Sequence, residues 1–301
     1  MAIVLGPNQY GKAETRVVRV YRDTARHEIR DLNVSTLLRG DFAAAHERGD
    51  QASVLPTDSQ KNTCFAYARQ KGVGEIEDYA LELARHFLTD IGPVSAARVE
   101  VEEYRWERVS VAGRPHPHAF VRAGDEVRTT AVTAEARERA SVVSGLTGLV
   151  VMKTTGSEFS GFLKDRYTTL AETTDRILAT SLNAHWRYRA WPPEDGWGQA
   201  HAQVRQILLE RFAEVHSLAL QQSLWEMGRA VLSARDDVAE VRLSAPNRHH
   251  FLADLAPFGL DNPGEVFHAA DRPYGLIQCA VQRDDPGDDP GPAWDSAAAF
   301  T

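Results

Sequence analysis

One order of secondary-structure segments occurs twice along the 301-residue chain, and this repetition restricts the fold more than any single motif. In the first half, residues 15–21 and 27–38 are rich in β-branched side chains and predict two strands. Residues 75–90 carry apolar side chains at helical spacing, whereas residues 98–106 alternate apolar and acidic side chains. With a short helix before this region and further strand segments after it, the first half predicts the order ββααββ.

The second half repeats that order. It comprises extended segments, two amphipathic helices and closing strands, within residues 142–152, 168–188, 199–215, 220–231, 238–245 and 250–255. Antiparallel sheets covered by helices on one face leave edge strands, and closing a barrel across subunits removes those edges. The pattern therefore predicts an α+β fold with two domains, residues 1–137 and 138–283, in a homo-oligomer. Residues 284–301, rich in Asp, Pro and Gly, predict a mobile tail.

Charge and composition narrow the class of protein. The formal net charge is -8 without a run of Lys or Arg, which argues against nucleic acid or an acidic membrane surface as a partner. No apolar stretch is long enough to span a bilayer. Neither a signal-peptide pattern nor a peroxisomal C-terminal tripeptide occurs, so we expect a cytoplasmic protein. The two cysteines, Cys64 and Cys279, lie in apolar surroundings, which predicts buried reduced thiols.

A polar stretch, residues 54–63, directly precedes an apolar run. Pro56 disfavours a helical conformation at the residue before it, so we expect the chain to enter Thr57 extended. Asp58 and Ser59 then favour helix capping, because their side chains accept bonds from nearby backbone N–H groups. Local chemistry favours an ordinary N-cap here. A helix start with free N–H groups is also an anion site in principle, which leaves a second interpretation open.

Four other side chains are candidates for a functional role, and two of them allow two interpretations. Lys12 follows a glycine in a polar loop, which is typical of a solvated lysine. Phe159 is either a core ring or a stacking platform. Arg176 either pairs with a neighbouring carboxylate or offers its planar fork to an anion. Gln221, near a helix start, is typical of a solvated helix former.

Two histidine pairs raise the question of a metal. His116 and His118 flank a proline, and His249 and His250 follow Asn247. Zinc sites need three or four convergent ligands at recognisable spacing, and neither pair has that pattern, so we expect no metal site. The sequence has no GxGxxG after a strand, no P-loop and no GxSxG, which argues against a nucleotide cofactor and a serine hydrolase.

Longer strings resemble one known family. They occur in both halves, in the family's order: NQYGKAETRV, RHEIRDLNV, LRGDF, TDSQKNTCFAYAR, KTTGSEFSGFLKDRYTTLAETTDRILAT, HSLALQQSLWEMGRAV, PNRHHFLADL and DNPGEVFHAADRPYGLI. With these strings the chain resembles the urate oxidase (uricase) family. The resemblance implies two tandem tunnelling-fold (T-fold) domains in a tunnel-shaped homotetramer with active sites at subunit interfaces. It also implies cofactor-free and metal-free oxidation of urate by O2 and water to 5-hydroxyisourate and hydrogen peroxide, in purine degradation.

The resemblance also assigns site residues. The proton-relay positions are matched by Lys12, Thr57 and His249. Phe159 matches the ring that stacks on the purine, and Arg176 and Gln221 match the in-plane clamp. Asp58 and Leu220 match the positions whose backbone N–H groups contact the ligand. Asn247 matches the residue over the purine where O2 or water sits. The segment from His116 to His118 departs from the family, in which an acidic residue often separates the two histidines.

A mechanism follows from these implied roles. Arg176 and Gln221 would hold the edge of an anionic purine, and Phe159 would stack on its face. Deprotonated urate would supply the electrons. Two alternatives stay open: another T-fold enzyme that acts on a pterin or purine, with zinc, or a purine-binding relative without catalysis.

Overall fold

The computed structural model describes residues 2–136, 139–285 and 288–295, and these residues form two compact units. Unit 1 is composed of Met1–Leu146, Arg187–Gly198 and Asp285–Thr301, and unit 2 is composed of Thr147–Trp186 and Gln199–Asp284. The domain boundary predicted between residues 137 and 138 falls outside the described residues, and the predicted domain limits stay a prediction.

Unit 1 combines an antiparallel sheet with three helices. Its elements are β1 (Tyr10–Tyr21), β2 (Glu28–Gly40), α1 (Ala43–Arg48), α2 (Thr57–Gln70), α3 (Ile76–Asp90), β3 (Val94–Val111), β4 (Arg114–Ala136) and the start of β5 (Arg139–Lys153). The strands lie in the order β1-β2-β3-β4-β5, and the first three neighbouring pairs are antiparallel. The strands and helices predicted for the first half are therefore confirmed, although the two predicted segments after β3 are one long strand.

Unit 2 has the same mixture of elements. It contains the end of β5 and most of β6 (Leu178–Tyr188) and α4 (Trp197–Glu214), followed by α5 (Leu220–Ala234), β7 (Val238–Pro246), β8 (His249–Leu252), β9 (Phe267–Ala270) and β10 (Leu276–Gln282). Its main sheet has the order β5-β6-β7-β10, with β10 antiparallel to β7. The chain is thus a mixed α and β protein with antiparallel sheet.

One strand prediction for the second half is wrong. The segment predicted at residues 250–255 is not the closing strand of the main sheet, because β8 pairs with β9 in a separate two-stranded sheet and β10 lies beside β7. The extended segment predicted within residues 168–188 is confirmed as the strand Leu178–Tyr188. Residues 168–177 form a loop, in which the Thr168 hydroxyl donates to the Asp165 carboxylate and the Thr173 hydroxyl donates to the Asp175 carbonyl oxygen. Short-range patterns do not report which distant strand a segment joins.

The main sheet of each unit has one face buried under helices. In unit 1, Ile76, Leu83 and Phe87 of α3 are fully buried, as are Val99 and Val101 of β3. Full burial of one such side chain stabilises the fold by about 1.5–3 kcal/mol, so this layer holds the sheet and helices together. In unit 2 the equivalent layer is formed by Trp186, Leu208, Leu224 and Val231, among others.

The two cysteines are free thiols, and only Cys64 is buried. Burial raises the pKa of the Cys64 thiol to about 12. Cys279 is half-buried, which corrects the expectation that both are buried. Within residues 2–136, 139–285 and 288–295, no helix is long and apolar enough to cross a membrane.

The tail predicted to be mobile makes specific contacts in unit 1. Residues Gly291–Trp294 form a short 3-10 helix in which Ala293 is 1% exposed. The Arg98 guanidinium donates to the Ala293 carbonyl oxygen at 3.2 Å, and Asp295 pairs with Arg39 at 2.7 Å. Asp288 pairs with Arg187, whose side chain is 6% exposed. The mobility prediction is therefore wrong for residues 288–295. Composition alone does not predict the contacts with Arg39, Arg98 and Arg187, which lie far away in the sequence.

Candidate active site

In unit 1, the candidate residues lie where α2 packs on β1. Lys12 is on β1 and pairs with Thr36 of β2. The Thr36 hydroxyl donates to the buried Gln60 side chain of α2 at 2.8 Å, which ties the start of the helix to the strand pair. At Gly11 a Cβ atom would lie 1.8 Å from the Thr36 carbonyl oxygen. Only glycine permits this approach, so the glycine before Lys12 brings the two strands together.

Helix α2 begins in a different way from the sequence prediction. Its N-cap residue is Pro56, with ψ of 140°, and no side chain caps it among the described residues. Thr57 and Asp58 are the first two helical residues, so the prediction that Asp58 or Ser59 caps the helix is wrong. Proline supplies the extended entry, and the backbone N–H groups of the first turn are left without a side-chain partner in the helix.

The Asp58 carboxylate bonds along the helix. It pairs with Lys61 three residues on and accepts a 2.9 Å bond from Asn62. The hydrogen bond from Lys61 is the largest influence that lowers the pKa of Asp58, and the charge of Lys12 contributes in the same direction. The charge of Lys12 therefore acts on the first turn of α2. The Asp58 carboxylate is occupied by Lys61 and Asn62, and the Asp58 backbone N–H belongs to that first turn.

In unit 2, two neighbouring loops carry Phe159 and Arg176. Phe159 exchanges two backbone hydrogen bonds with Thr173, at 2.9 and 3.0 Å. The Arg176 N–H donates to the Ser157 carbonyl oxygen at 2.8 Å. The Arg176 guanidinium carbon lies 5.2 Å from the centre of the Phe159 ring. The fold thus places a planar cation beside an aromatic ring, which are the two groups assigned to the edge and the face of a purine.

The Arg176 side chain is half-buried and has no carboxylate partner among the residues that the structure describes. Its Nε donates to the Ser157 hydroxyl at 3.4 Å. Burial lowers the pKa of the guanidinium, as expected when a cation loses water without gaining a counter-charge. The ion-pair interpretation of Arg176 is therefore wrong within the described residues, and its assignment to a purine clamp stays a prediction.

Helix α5 places Leu220 and Gln221 at its first two positions. The residues before it are tied to the Phe159 loop, because the Ser217 N–H donates to Gly156 at 2.9 Å and the Ser217 carbonyl accepts from Glu158 at 2.8 Å. Leu220 is buried, whereas Gln221 is exposed. The N-terminus of α5 is thereby fixed against the loop that carries the aromatic ring.

Asn247 and His249 follow the end of β7. Asn247 bridges to Thr180 near the start of β6, and its N–H donates to Gly275 at 2.8 Å. His249 begins β8, and its ring stacks on Phe251 with centroids 5.7 Å apart. Both lie near the end of β6 that follows Arg176, so the six unit 2 candidates come from segments that are hydrogen-bonded to one another.

One property unites the polar candidates. Within the described ranges, no hydrogen-bond or ion-pair partner is recorded for the side chains of Lys12, Thr57, Gln221, Asn247 and His249. Thr57 and Gln221 are exposed and the other three are partly exposed, so these polar groups are accessible to a ligand. The structure brings Lys12, Thr57 and Asp58 together in unit 1 and the remaining candidates together in unit 2.

The residues that shape this site were not singled out from the sequence. Asp175, Thr155, Ser157 and Ser217 form the hydrogen bonds that join the loops. The signal in the sequence is the Thr155-Gly156 pair, which ends 19 residues before Asp175-Arg176 and supplies the donors that bond to Asp175. A groove of about 570 Å³ lies elsewhere on β6, β7 and β10, and no predicted site residue lines it.

The histidines of the HPH segment lie in unit 1. The His116 and His118 rings are 4.5 Å apart, and His27 lies 5.8 Å from His118. No group of three or more His, Cys, Asp or Glu side chains in the described part of the chain is arranged to hold a metal ion.

Comparisons with known proteins agree over nearly the whole chain. The family model described as "Uricase" matches residues 8–133 and 142–278. The uricase of Arthrobacter globiformis is 52% identical over 298 residues, which cover 99% of this chain and 96% of that relative. The uricase of Aspergillus flavus is 35% identical and covers 91% and 95%. The crystal structure of the Arthrobacter globiformis uricase superposes with a TM-score of 0.90 at 51% identity, covering 96% and 98%.

Fold and relatives together define an oxidoreductase, with a mixed α and β fold and without a nucleotide-binding motif in its sequence. The chain belongs to the uricase family, whose members are urate oxidases. Urate and O2 are therefore its substrates, and its place is in purine degradation.

Proposed function

We propose that this urate oxidase converts urate, O2 and water to 5-hydroxyisourate and hydrogen peroxide without a cofactor, at composite sites between subunits of a homotetramer. Each chain would contribute two T-fold domains to a tunnel. Lys12, Thr57 and Asp58 of one subunit would face Phe159 and Arg176 of a neighbour, together with the other unit 2 candidates. The family resemblance, which implies active sites at subunit interfaces, supports a composite site.

The half-buried guanidinium of Arg176 carries the proposal. It lies 5.2 Å from the Phe159 ring, and the described residues offer it no carboxylate. A planar anion such as urate would accept charge-assisted bonds from the fork, worth about 1.5–3 kcal/mol. Stacking on Phe159 would add about 1–3 kcal/mol by analogy with base stacking.

The other binding residues fix the orientation of the ring. Gln221 offers a donor and an acceptor, which suits an amide-like edge of the purine. The N–H groups at Asp58 and Leu220 belong to the first turns of α2 and α5, where helix dipoles favour an anion. Asn247 would hold O2 or water above the ring.

The chemistry then needs proton transfer rather than an external electron carrier. Lys12 and Thr57 would remove a proton from urate with His249 in the relay, and the anion would reduce O2. Two electrons leave urate, O2 takes them with two protons as hydrogen peroxide, and water supplies the oxygen of the new hydroxyl group. General acid–base help of this kind contributes about 10²–10⁴ in rate.

The test is an assay on purified protein from which metal has been stripped with a chelator, under air. We expect loss of urate absorbance with one hydrogen peroxide formed per urate, at a rate that does not rise when zinc is restored. Turnover that requires stoichiometric zinc would favour the zinc-dependent alternative. Urate binding without absorbance loss or peroxide would identify a purine-binding relative without catalysis.

The composite site has its own test. Mixing a Lys12→Met chain with an Arg176→Ala chain under conditions that exchange subunits should restore activity, because some sites then combine two intact halves. Failure of mixed tetramers to regain activity would contradict a site shared between subunits.

A further inference from the structure

The loop that carries Phe159 is held to the segment that carries Arg176 through one carboxylate. The Thr155 hydroxyl donates to the Asp175 carboxylate at 2.9 Å, and the Gly156 N–H donates to the other oxygen at 3.0 Å. Gly156 has a φ of 74°, so the chain turns here in a conformation that glycine adopts without strain. Asp175 therefore joins the turn after β5 to the residue directly before the guanidinium.

The backbone around Asp175 continues the same connection. The Thr173 hydroxyl donates to the Asp175 carbonyl oxygen at 2.7 Å, and Thr173 is the residue that pairs with Phe159. On the other side, the Arg176 N–H donates to Ser157. The ring and the guanidinium thus have their backbones bonded on both sides of Asp175, within a few residues.

The Asp175 carboxylate does not act as a counter-ion for Arg176. Its oxygens are occupied by Thr155 and Gly156, and no ion pair between the two neighbours is recorded within residues 147–186. The hydrogen bond from Thr155 is the largest influence that lowers the pKa of this carboxyl group, so the acceptor is ionised at neutral pH. The side chain orients the loop and leaves the guanidinium available.

We propose that Asp175 is a positioning residue for urate, which fixes the Phe159 ring relative to the Arg176 fork so that one purine contacts both. The proposal rests on the assignment of Phe159 and Arg176 to the substrate site. Stacking and in-plane bonds are formed together only if the ring and the fork are held at a set separation. Without the carboxylate the loop samples other separations, and each binding event has to select the right one.

The loop between the two residues contains a matched control. The Asp165 carboxylate also accepts from a threonine hydroxyl, Thr168 at 2.8 Å, and from a backbone N–H, Tyr167 at 3.0 Å. This carboxyl group is also exposed, and its pKa is also lowered by the threonine bond. Its bonds remain within residues 165–168, so it does not join the Phe159 loop to Arg176.

The experiment compares Asp175→Ala, Asp175→Asn and Asp165→Ala in the full-length protein. Urate affinity is measured without O2, and KM and kcat are measured under air. Two lost hydrogen bonds predict that Asp175→Ala weakens urate affinity and raises KM by about tenfold. Asp175→Asn keeps an acceptor oxygen and should recover most of the loss. Asp165→Ala should leave affinity and KM within twofold of the parent protein.

The variant Arg176→Ala shows whether a negative result overturns the positioning role of Asp175 or the assignment of the substrate site itself. If Arg176→Ala weakens urate binding and Asp175→Ala does not, the positioning role is overturned and the site stands. If neither substitution changes urate binding, the site assignment is wrong and the inference falls with it. Equal losses in Asp175→Ala and Asp165→Ala would also overturn the proposal, because they would report general loop damage.

Discussion

The Arg128 guanidinium lies 2.7 Å from the carboxylate of Glu77, a residue with no exposed surface. The Ser144 hydroxyl donates to the second oxygen of the same carboxylate at 2.6 Å. Burial raises the pKa of Glu77 despite the opposing charge of Arg128. This ion pair joins α3 to β4 inside unit 1, and the stability of the unit should depend on it.

Arg128→Met should destabilise the protein by about 3–5 kcal/mol at pH 8, because it leaves a buried carboxylate without its closest counter-charge. A carboxyl with a raised folded-state pKa favours folding at low pH, and that contribution is lost as pH rises through the folded pKa. Removing Arg128 raises the Glu77 pKa further, so the deficit should shrink between pH 8 and pH 5. Urea unfolding at both pH values measures it.

The control for Arg128→Met is Arg85→Met. Arg85 is 56% exposed and pairs with Glu82, which is 40% exposed. Its loss should cost less than about 1 kcal/mol, with little change between the two pH values. A deficit for Arg128→Met that is equal at pH 8 and pH 5 would argue against the buried ion pair as its cause.

Ala293→Asp tests the contacts of the C-terminal segment. Ala293 is 1% exposed and its carbonyl oxygen accepts from Arg98, so a buried carboxylate there should displace the segment. We expect a loss of about 1–3 kcal/mol and faster proteolysis after residue 285. Asp295→Ala removes only a half-exposed ion pair and should cost less than about 1 kcal/mol. Indistinguishable proteolysis of the two variants would contradict a docked segment.

Gly11→Ala tests the close approach of β1 and β2 next to Lys12. The new methyl group would meet the Thr36 carbonyl oxygen, which forces the strands apart and should cost about 1–3 kcal/mol. Because Lys12 is the adjacent residue, kcat should fall even at temperatures where the variant is folded. The comparison is Gly49→Ala, at a φ of 68° with open space around it, which should lower the melting temperature without changing kcat. Unchanged kcat in Gly11→Ala would remove the link between this approach and catalysis.

Lys12→Met and Thr57→Ala should lower kcat by about 10²–10⁴ while urate affinity without O2 changes much less. The reason is that both residues are assigned to proton transfer, whereas Arg176 and Phe159 are assigned to binding. Lys71→Met, which removes an exposed lysine at the other end of α2, is the control and should leave kcat unchanged. Equal losses of affinity and turnover in Lys12→Met would rule against the relay.

Periodicity predicted most of the elements because burial of one face imposes it. The alternation in β3 and the apolar stripe of α3 are consequences of the layer that contains Val99 and Phe87, so both segments could be identified locally. The pairing of β10 with β7 and the docking of Ala293 on Arg98 depend on residues far apart in the chain. No local pattern encodes such partners.

The candidate site shows the same difference between what local patterns predict and what contacts between distant residues determine. Local chemistry favoured a cap at Asp58 and left an ion pair at Arg176 as one of two interpretations, and the described residues contain neither. The assigned residues came from the family resemblance, and their roles stay predictions. A single aspartate carries no signal in the sequence, because the two bonds that Asp175 accepts come from Thr155 and Gly156, which lie 20 and 19 residues earlier.

The contact between Arg98 and Ala293 also constrains the order of events during synthesis. The two residues are 195 positions apart, and all of unit 2 lies between them in the sequence. At about 5–20 residues per second, the ribosome adds Ala293 some 10–40 s after Arg98. Until then the Arg98 guanidinium has its bonds to Glu100 and Thr133 available and lacks only the Ala293 acceptor. A chain that ends before Ala293 would therefore lack the carbonyl acceptor that the C-terminal 3-10 helix gives to the sheet of unit 1.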